Sequence, residues 1–153
     1  MTLKLYLHPL SSFCHKVLIA LYENETPFEP VMVNFGDSES RQKFFALWPM
    51  GKIPVLLDSE TDMTLPETSV IIEYLQQRYP GPVELLPKDA EQALQIRLWD
   101  RFFDLYVHGP MQRIVAERLR PEGSHDPHGV SEARQMLDKA YGILENHMAT
   151  RQW

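Results

Sequence analysis

The chain has 153 residues, of which 44% are hydrophobic, and its net charge is −6. This length is enough to bury a core, and the acidic balance without a long basic run argues against nucleic acid or an anionic membrane as partner. No apolar stretch approaches the roughly 18 residues that a membrane span needs, and the first residues lack the pattern of a secretion signal. The single cysteine excludes an intramolecular disulfide. We therefore expect a soluble, cytoplasmic protein.

The first 80 residues alternate between strand and helix periodicity. The predicted elements, in chain order, are strand 3–7, helix 13–21, strand 28–35, helix 39–47, strands 53–57 and 63–65, and helix 68–79. The first two strands are joined through a helix and should lie parallel, whereas the third and fourth should form a hairpin.

The second half of the chain has helical periodicity only. Residues 80–88 are rich in proline and predict a linker between a domain at 1–79 and a helical region at 89–153. The residue pattern of this region predicts one long helix kinked at Pro110, then a polar loop, then an amphipathic helix over 133–148. So few helices do not close a domain, so we expect the chain to be a truncated piece, with Arg151-Gln152-Trp153 leading into the missing part.

Two segments carry the most specific functional signal. Gly51-Lys52-Ile53-Pro54-Val55-Leu56 places a proline at the mouth of a strand, where a cis peptide bond is a candidate. Glu67-Thr68 then opens a helix with a carboxylate, a hydroxyl and free backbone N–H groups. This set suits a zwitterionic amino acid, because its carboxylate pairs with N–H groups and its ammonium with an acid. The pattern predicts a site for the backbone of a small peptide.

These segments resemble the glutathione-binding half of the glutathione S-transferases, and the resemblance strengthens at Ser11-Ser12-Phe13-Cys14-His15-Lys16. It covers residues 3 to about 87 and continues more loosely beyond. It implies an α/β thioredoxin-like N-terminal domain followed by an all-α C-terminal domain that is incomplete here. It also implies glutathione as co-substrate without a metal, an electrophilic small molecule as second substrate, a homodimer and a role in detoxification.

The resemblance makes Ser11 the catalytic residue, whose hydroxyl lowers the pKa of the glutathione thiol. The alternative is a helix N-cap, and Ser12 competes for the capping role. Cys14 has two interpretations, an alternative thiol in the first helical turn or a small buried residue.

The resemblance also implies the glutathione contacts. Ile53 would pair its backbone with the cysteine unit, ahead of a cis proline, and Lys52 would reach the glycine carboxylate. Glu67 and Thr68 would hold the γ-glutamyl group, with Phe13 as a further contact. The sequence departs from the family at Trp48, where asparagine is usual.

Tyr106 and His108 are candidates for the rim of the second-substrate pocket. His125 and His128 lie on a Pro-rich loop without further ligands, so we expect no zinc. The serine type looks most similar to the zeta class, which leaves a glutathione-dependent isomerase as an alternative to a transferase. A non-catalytic, transferase-like interaction protein is the third possibility.

Overall fold

The computed structural model describes residues 2–149, so the expectation for Arg151-Gln152-Trp153 lies outside the described residues. The chain divides after Lys88 into two compact units, which we call unit 1 and unit 2. Unit 1 contains a four-stranded sheet and three helices. Its elements are β1 Leu3–Leu7, α1 Ser12–Glu23, β2 Glu29–Met32, α2 Ser38–Leu47, β3 Val55–Asp58, β4 Met63–Pro66 and α3 Thr68–Arg78.

The strand order is β2-β1-β3-β4, with β1 parallel to β2 and the other pairs antiparallel. The predicted parallel pair and the predicted hairpin are both confirmed. The strand expected over 28–35 is shorter, because only Glu29–Met32 pairs with β1. β2 is an outermost strand of the sheet and contains Pro30, which has no N–H to donate to a neighbouring strand.

The core of unit 1 has two layers around the sheet. Alternation along β1 buries Leu3, Leu5 and Leu7 against α1 and α3. On the opposite face Tyr6 packs against Phe44 of α2, with 6.0 Å between ring centroids. This α/β architecture is the thioredoxin-like fold, followed by a helical unit.

A buried carboxylate fastens the hairpin to the far end of α3. Asp58, which is fully buried, accepts hydrogen bonds of 2.6 Å from both Tyr74 Oη and Tyr79 Oη. The backbone N–H of Glu60 donates to its other oxygen at 2.9 Å. Burial raises the pKa of Asp58, but these hydrogen bonds outweigh it and hold the pKa below its ordinary value. The Asp58 carboxylate raises the pKa of Tyr79 to about 12.

The segment predicted as a linker is anchored on unit 1. Asn24 Oδ1 accepts from the N–H of Val83 at 2.9 Å, and Gln76 Oε1 accepts from the N–H of Leu85 at 2.8 Å. A Cβ on Gly81 would meet the backbone of Asn24 at 2.5 Å, so this close approach requires glycine.

Unit 2 is helical. Its elements are α4 Ala90–Phe102, a π-helical turn Phe103–His108, α5 Gly109–Glu117 and α6 Pro127–Met148. The helix expected to kink at Pro110 is instead interrupted by the wider turn immediately before it. Pro110 has no N–H for the carbonyl one turn earlier, and a π-helical turn is one way for a helix to absorb such a gap.

The loop between α5 and α6 is closed by one carboxylate. Glu117 accepts from the N–H of Asp126 at 2.8 Å, lies 3.0 Å from His125 Nδ1, and pairs with Arg120 at 3.0 Å. Asp126 in turn caps α6 through the N–H of Gly129. These contacts give His125 a structural role in the loop.

Candidate functional site

The ends of three strands lie side by side at one end of the unit 1 sheet, and we call this end of the strands the sheet edge. Tyr6 pairs with Val55 and Val55 pairs with Pro66 across antiparallel neighbours. The end of β1, the start of β3 and the end of β4 therefore lie side by side. The segments that carry Ser11, Ile53-Pro54 and Glu67-Thr68 leave the sheet from this edge. The fold thus places the candidate residues of unit 1 on neighbouring chain segments.

Ser11 is the N-cap of α1. Its backbone is extended, at φ −91° and ψ 114°, and its Oγ accepts a hydrogen bond from the N–H of Cys14 at 3.3 Å. Ser12 is the first helical residue, so of the two serines that competed for the capping role, Ser11 is the N-cap. A serine oxygen that accepts one bond still has its own proton to donate. The capping role of Ser11 is therefore compatible with donation to a thiolate at the positive end of the helix.

Cys14 lies in the hydrophobic core with no exposed surface. Burial raises the pKa of its thiol, although hydrogen bonds from Ser11 and from the backbone at His8 lower it in part. A reactive cysteine needs access and a depressed pKa. These features favour the packing role of Cys14 over the thiol role.

Glu67 combines exposure with an unusual backbone. It is the N-cap of α3 with φ 69° and ψ 113°, a positive φ that non-glycine residues seldom adopt. Its side chain makes no capping hydrogen bond and is exposed, whereas the neighbouring Thr68 is 5% exposed. Strained backbone conformations cluster at functional sites, which makes Glu67 a candidate for the site.

The Ile53–Pro54 peptide bond is cis, as the sequence predicts. Pro54 is buried, Ile53 is half-buried and Lys52 is exposed. Gly51 has φ 66°, and a Cβ there would meet the ring of Phe45 at 2.5 Å. The Gly-Lys-Ile-Pro segment therefore presents the lysine to solvent and the isoleucine backbone at the sheet edge.

The structure adds Lys16 to the candidate site, although the sequence pointed to it only as part of a motif. Lys16, on the second turn of α1, donates from Nζ to Ser69 Oγ in the first turn of α3 at 3.3 Å. Phe13 is half-buried in the first turn of α1, close in sequence to Ser11. The Lys16–Ser69 contact thus joins the N-terminal part of α1 to the first turn of α3. The available sequence signal for Lys16 was a single lysine within the largely apolar sequence of α1.

The candidates in unit 2 are placed differently. Tyr106 is exposed and contacts Phe102, with 5.4 Å between ring centroids, and His108 is half-buried. A cleft of about 440 Å³ in this unit is lined by other side chains, namely Gln95, Ile96, Trp99, Asp100, Phe103, Leu144, His147 and Met148. The role of Tyr106 and His108 as a substrate rim stays a prediction.

Within residues 2–149, no three His, Cys, Asp or Glu side chains are grouped so as to hold a metal ion. In the same range, no helix is both long and apolar enough to cross a membrane.

Comparison with known proteins defines the class. The family described as glutathione S-transferase, N-terminal domain, matches residues 5–83, which is more than half of the chain. The glutathione S-transferase-like protein LUC7 of a Fusarium species is 34% identical over 84% of this chain and 55% of its own length. The FtsZ-localized protein A of Caulobacter vibrioides is 30% identical over 95% of this chain and 65% of its own length.

A solved glutathione S-transferase from Methylobacillus flagellatus, with glutathione bound, superimposes with a TM-score of 0.88 at 27% identity. The match covers 99% of this chain and 72% of that one. The chain belongs to the glutathione S-transferase family. It spans 55% and 65% of the length of the two relatives named above.

Proposed function

We propose that the protein binds glutathione at the edge of the unit 1 sheet and activates its thiol for attack on an electrophilic small molecule. The observation that carries this proposal is the convergence of two helix N-termini on that edge. One carries the Ser11 hydroxyl, and the other carries the exposed Glu67 carboxylate beside Thr68. The match to a glutathione-bound transferase supports glutathione as the ligand.

Each end of glutathione meets a complementary group. Glu67 pairs with the ammonium of the γ-glutamyl unit, and the carboxylate of that unit accepts from the Thr68 hydroxyl and from backbone N–H groups at the start of α3. The backbone of Ile53 pairs with the cysteine unit, Lys52 reaches the glycine carboxylate, and the ring of Phe13 packs beside the ligand. Because carboxylates and ammonium are all paired, the tripeptide is held in one orientation.

The chemistry follows from that orientation. The Ser11 hydroxyl donates to the sulfur, and the dipole of α1 stabilises negative charge there, so the thiol loses its proton to solvent at lower pH. The thiolate forms a bond to an electrophilic carbon, and the displaced group leaves with the electron pair of the broken bond. The serine stays unmodified.

An isomerase is the nearest variant of this proposal. A thiolate that adds to a conjugated double bond and then leaves permits rotation about the carbon–carbon bond, so glutathione is regenerated. The serine-type loop with Ser11 and Ser12, similar to the zeta class, supports this variant. Recovery of glutathione without a conjugate distinguishes it from transfer.

A binding role without turnover is the second candidate function. The observation that favours it is the similarity to the FtsZ-localized protein A, whose name states a location and no activity. In that case unit 1 binds glutathione, or a partner, without chemistry. The intact set of Ser11, Glu67 and Thr68 favours the enzyme.

Calorimetry with glutathione, followed by turnover with a simple aryl halide, tests the proposal. We expect saturable binding, a conjugate in the product and a loss of both in Glu67→Ala. The matched control is Glu39→Ala, because Glu39 is an exposed acid at the start of α2, as Glu67 is at the start of α3. Absence of binding to the wild-type protein contradicts the proposal, and binding without turnover favours the second candidate.

We further propose a homodimer in the cytoplasm. Large apolar side chains remain exposed in unit 2, including Leu94, Leu98, Leu119, Tyr141 and Ile143. Apolar patches of this kind are typical of association surfaces. Light scattering should give twice the monomer mass, and a stable monomer contradicts this part of the proposal.

A further inference from the structure

The peptide unit between Pro9 and Leu10 is held at both of its polar ends by imidazoles. Its carbonyl, on Pro9, lies 2.7 Å from His15 Nε2, and its N–H, on Leu10, donates to His8 Nδ1 at 3.2 Å. A carbonyl only accepts, so His15 carries its hydrogen on Nε2 in this contact. His8 has the opposite requirement, because its Nδ1 must be unprotonated to accept. The two histidines thus form a clamp on one peptide plane.

The clamped plane belongs to the turn that presents Ser11. The N–H of Ser11 donates to the carbonyl of His8 at 3.0 Å, which closes a β-turn over residues 8–11 with Pro9 in its second position. When this plane is not held, ψ of Pro9 and φ of Leu10 gain freedom, and changes in these two angles that do not compensate one another displace the next residue, Ser11. The backbone of His15 is held in the first turns of α1, because its amide N–H donates to the Ser11 carbonyl at 3.1 Å.

Neither histidine is needed for the core. His15 and Pro9 are exposed and His8 is half-buried, and the buried side of α1 is formed by Cys14, Val17, Ala20 and Leu21. Packing therefore does not explain why the imidazoles face this plane. We propose that His8 and His15 are positioning residues that fix the Pro9–Leu10 plane and thereby aim the Ser11 hydroxyl at the glutathione sulfur. This inference rests on the proposed function.

If the inference holds, binding and thiol activation depend on different parts of the site. The γ-glutamyl end is held by α3, so loosening the clamp leaves the affinity for glutathione nearly unchanged. The hydroxyl that meets the sulfur becomes less well aimed, so stabilisation of the thiolate decreases. The clamp should therefore act on the thiol pKa and on kcat, and little on KM for glutathione.

The test compares Ala variants with variants that keep one hydrogen-bonding atom. His15→Gln retains a donor near the position of Nε2, and His8→Asn retains an acceptor in an Asx-turn. The thiolate absorption of bound glutathione is titrated in each, with kcat and KM measured in parallel. His128→Ala is the control, because the side chain of His128 in unit 2 is 84% exposed.

We expect His15→Ala and His8→Ala to raise the pKa of the bound thiol and to lower kcat by about 3- to 10-fold, the scale of one or two exposed hydrogen bonds. KM for glutathione should stay within about twofold, because α3 carries the affinity. His15→Gln and His8→Asn should recover most of the loss. Unchanged thiol pKa and kcat in both Ala variants overturns the inference, as does failure of both conservative variants to rescue.

Hydrogen exchange in the ligand-free protein separates this inference from the proposed function. The Leu10 amide should exchange faster in His8→Ala and in His15→Ala than in the wild type, with the melting temperature unchanged. Equal exchange rates overturn the clamp, whatever the protein does with glutathione. A wild-type protein that fails to lower the thiol pKa overturns the proposed function instead, and accelerated Leu10 exchange would then support the clamp alone.

Discussion

Lys16 and Ser69 lie 53 residues apart in the chain, yet the lysine Nζ donates to the serine Oγ at 3.3 Å. The contact joins α1, which begins next to Ser11, to α3, which begins at Thr68 beside Glu67. Both helices begin next to candidate residues of the site, and the lysine that joins them is half-buried. The two ends of the proposed glutathione site are therefore fixed to one another by a side chain as well as by the sheet.

The first prediction concerns this bridge. Lys16→Met keeps the aliphatic stem but removes the donor and the charge, so α3 should lose alignment with α1. We expect glutathione to bind more weakly by about 1 kcal/mol in calorimetry. Lys43→Met is the control, because Lys43 pairs with Glu39 on α2 away from the site. Equal effects of the two substitutions contradict the specific role of Lys16.

The second prediction separates stability from binding at Glu67. Replacement by glycine removes the cost of a positive φ, so Glu67→Gly should raise the free energy of unfolding by about 1 kcal/mol. The same substitution removes the carboxylate and should weaken glutathione binding by roughly 1.5–3 kcal/mol. Urea unfolding and calorimetry measure the two effects.

Glu67→Ala serves as the companion variant, because it loses the carboxylate and retains a Cβ. It should bind glutathione as weakly as Glu67→Gly without the gain in stability. If either variant keeps wild-type affinity, Glu67 does not hold the γ-glutamyl end.

The third prediction tests the hydroxyl of Ser11. Ser11→Ala removes the cap and the donor together, so it should cost about 1 kcal/mol of stability and raise the pKa of the bound thiol. Ser11→Thr keeps a hydroxyl, so it should retain most of the stability and most of the lowering of the thiol pKa. Affinity for glutathione should change little, because the loss falls on the thiolate. An active Ser11→Ala variant with an unchanged thiol pKa rejects Ser11 as the activating group.

The fourth prediction concerns the buried Asp58 network and pH. The folded pKa of Asp58 lies below its ordinary value of about 3.9, so its stabilisation is complete above that value and is lost as the pH falls through the folded pKa. The pKa of Tyr79 is raised to about 12, so its contribution is complete below about pH 10 and is lost between about 10 and 12. Urea unfolding across pH should show that the free energy of unfolding falls at acid pH, the acid limb, and at alkaline pH, the alkaline limb.

Two variants assign those limbs. Tyr79→Phe should reduce the alkaline loss of stability, because phenylalanine does not ionise, and Tyr74, whose pKa is also raised by burial and by its hydrogen bond to Asp58, accounts for the remainder. Asp58→Asn should lower the free energy of unfolding by about 1.5–3 kcal/mol at neutral pH and reduce the acid limb. An alkaline limb that is unaltered in Tyr79→Phe contradicts the assignment.

Local patterns predicted much of unit 1. Hydrophobic periodicity predicts its strands and helices, and the Gly-Lys-Ile-Pro segment predicts the cis bond that the structure contains. The long-range contacts were beyond local patterns, because Lys16–Ser69 and Asp58–Tyr79 depend on how the helices pack. The wide turn before Pro110 was missed, since a proline within a helix is compatible with several backbone adjustments. The imidazole clamp depends on a turn geometry that sequence alone does not specify.

The most direct test of the central claim is amide chemical-shift mapping by NMR during titration with glutathione. The account predicts that the largest shifts fall on Ser11, Ile53, Thr68 and Ser69, which belong to the three segments at one edge of the sheet. Shifts should saturate together with a single dissociation constant. Shifts confined to unit 2, or to the face of unit 1 covered by α2, would contradict the proposed site.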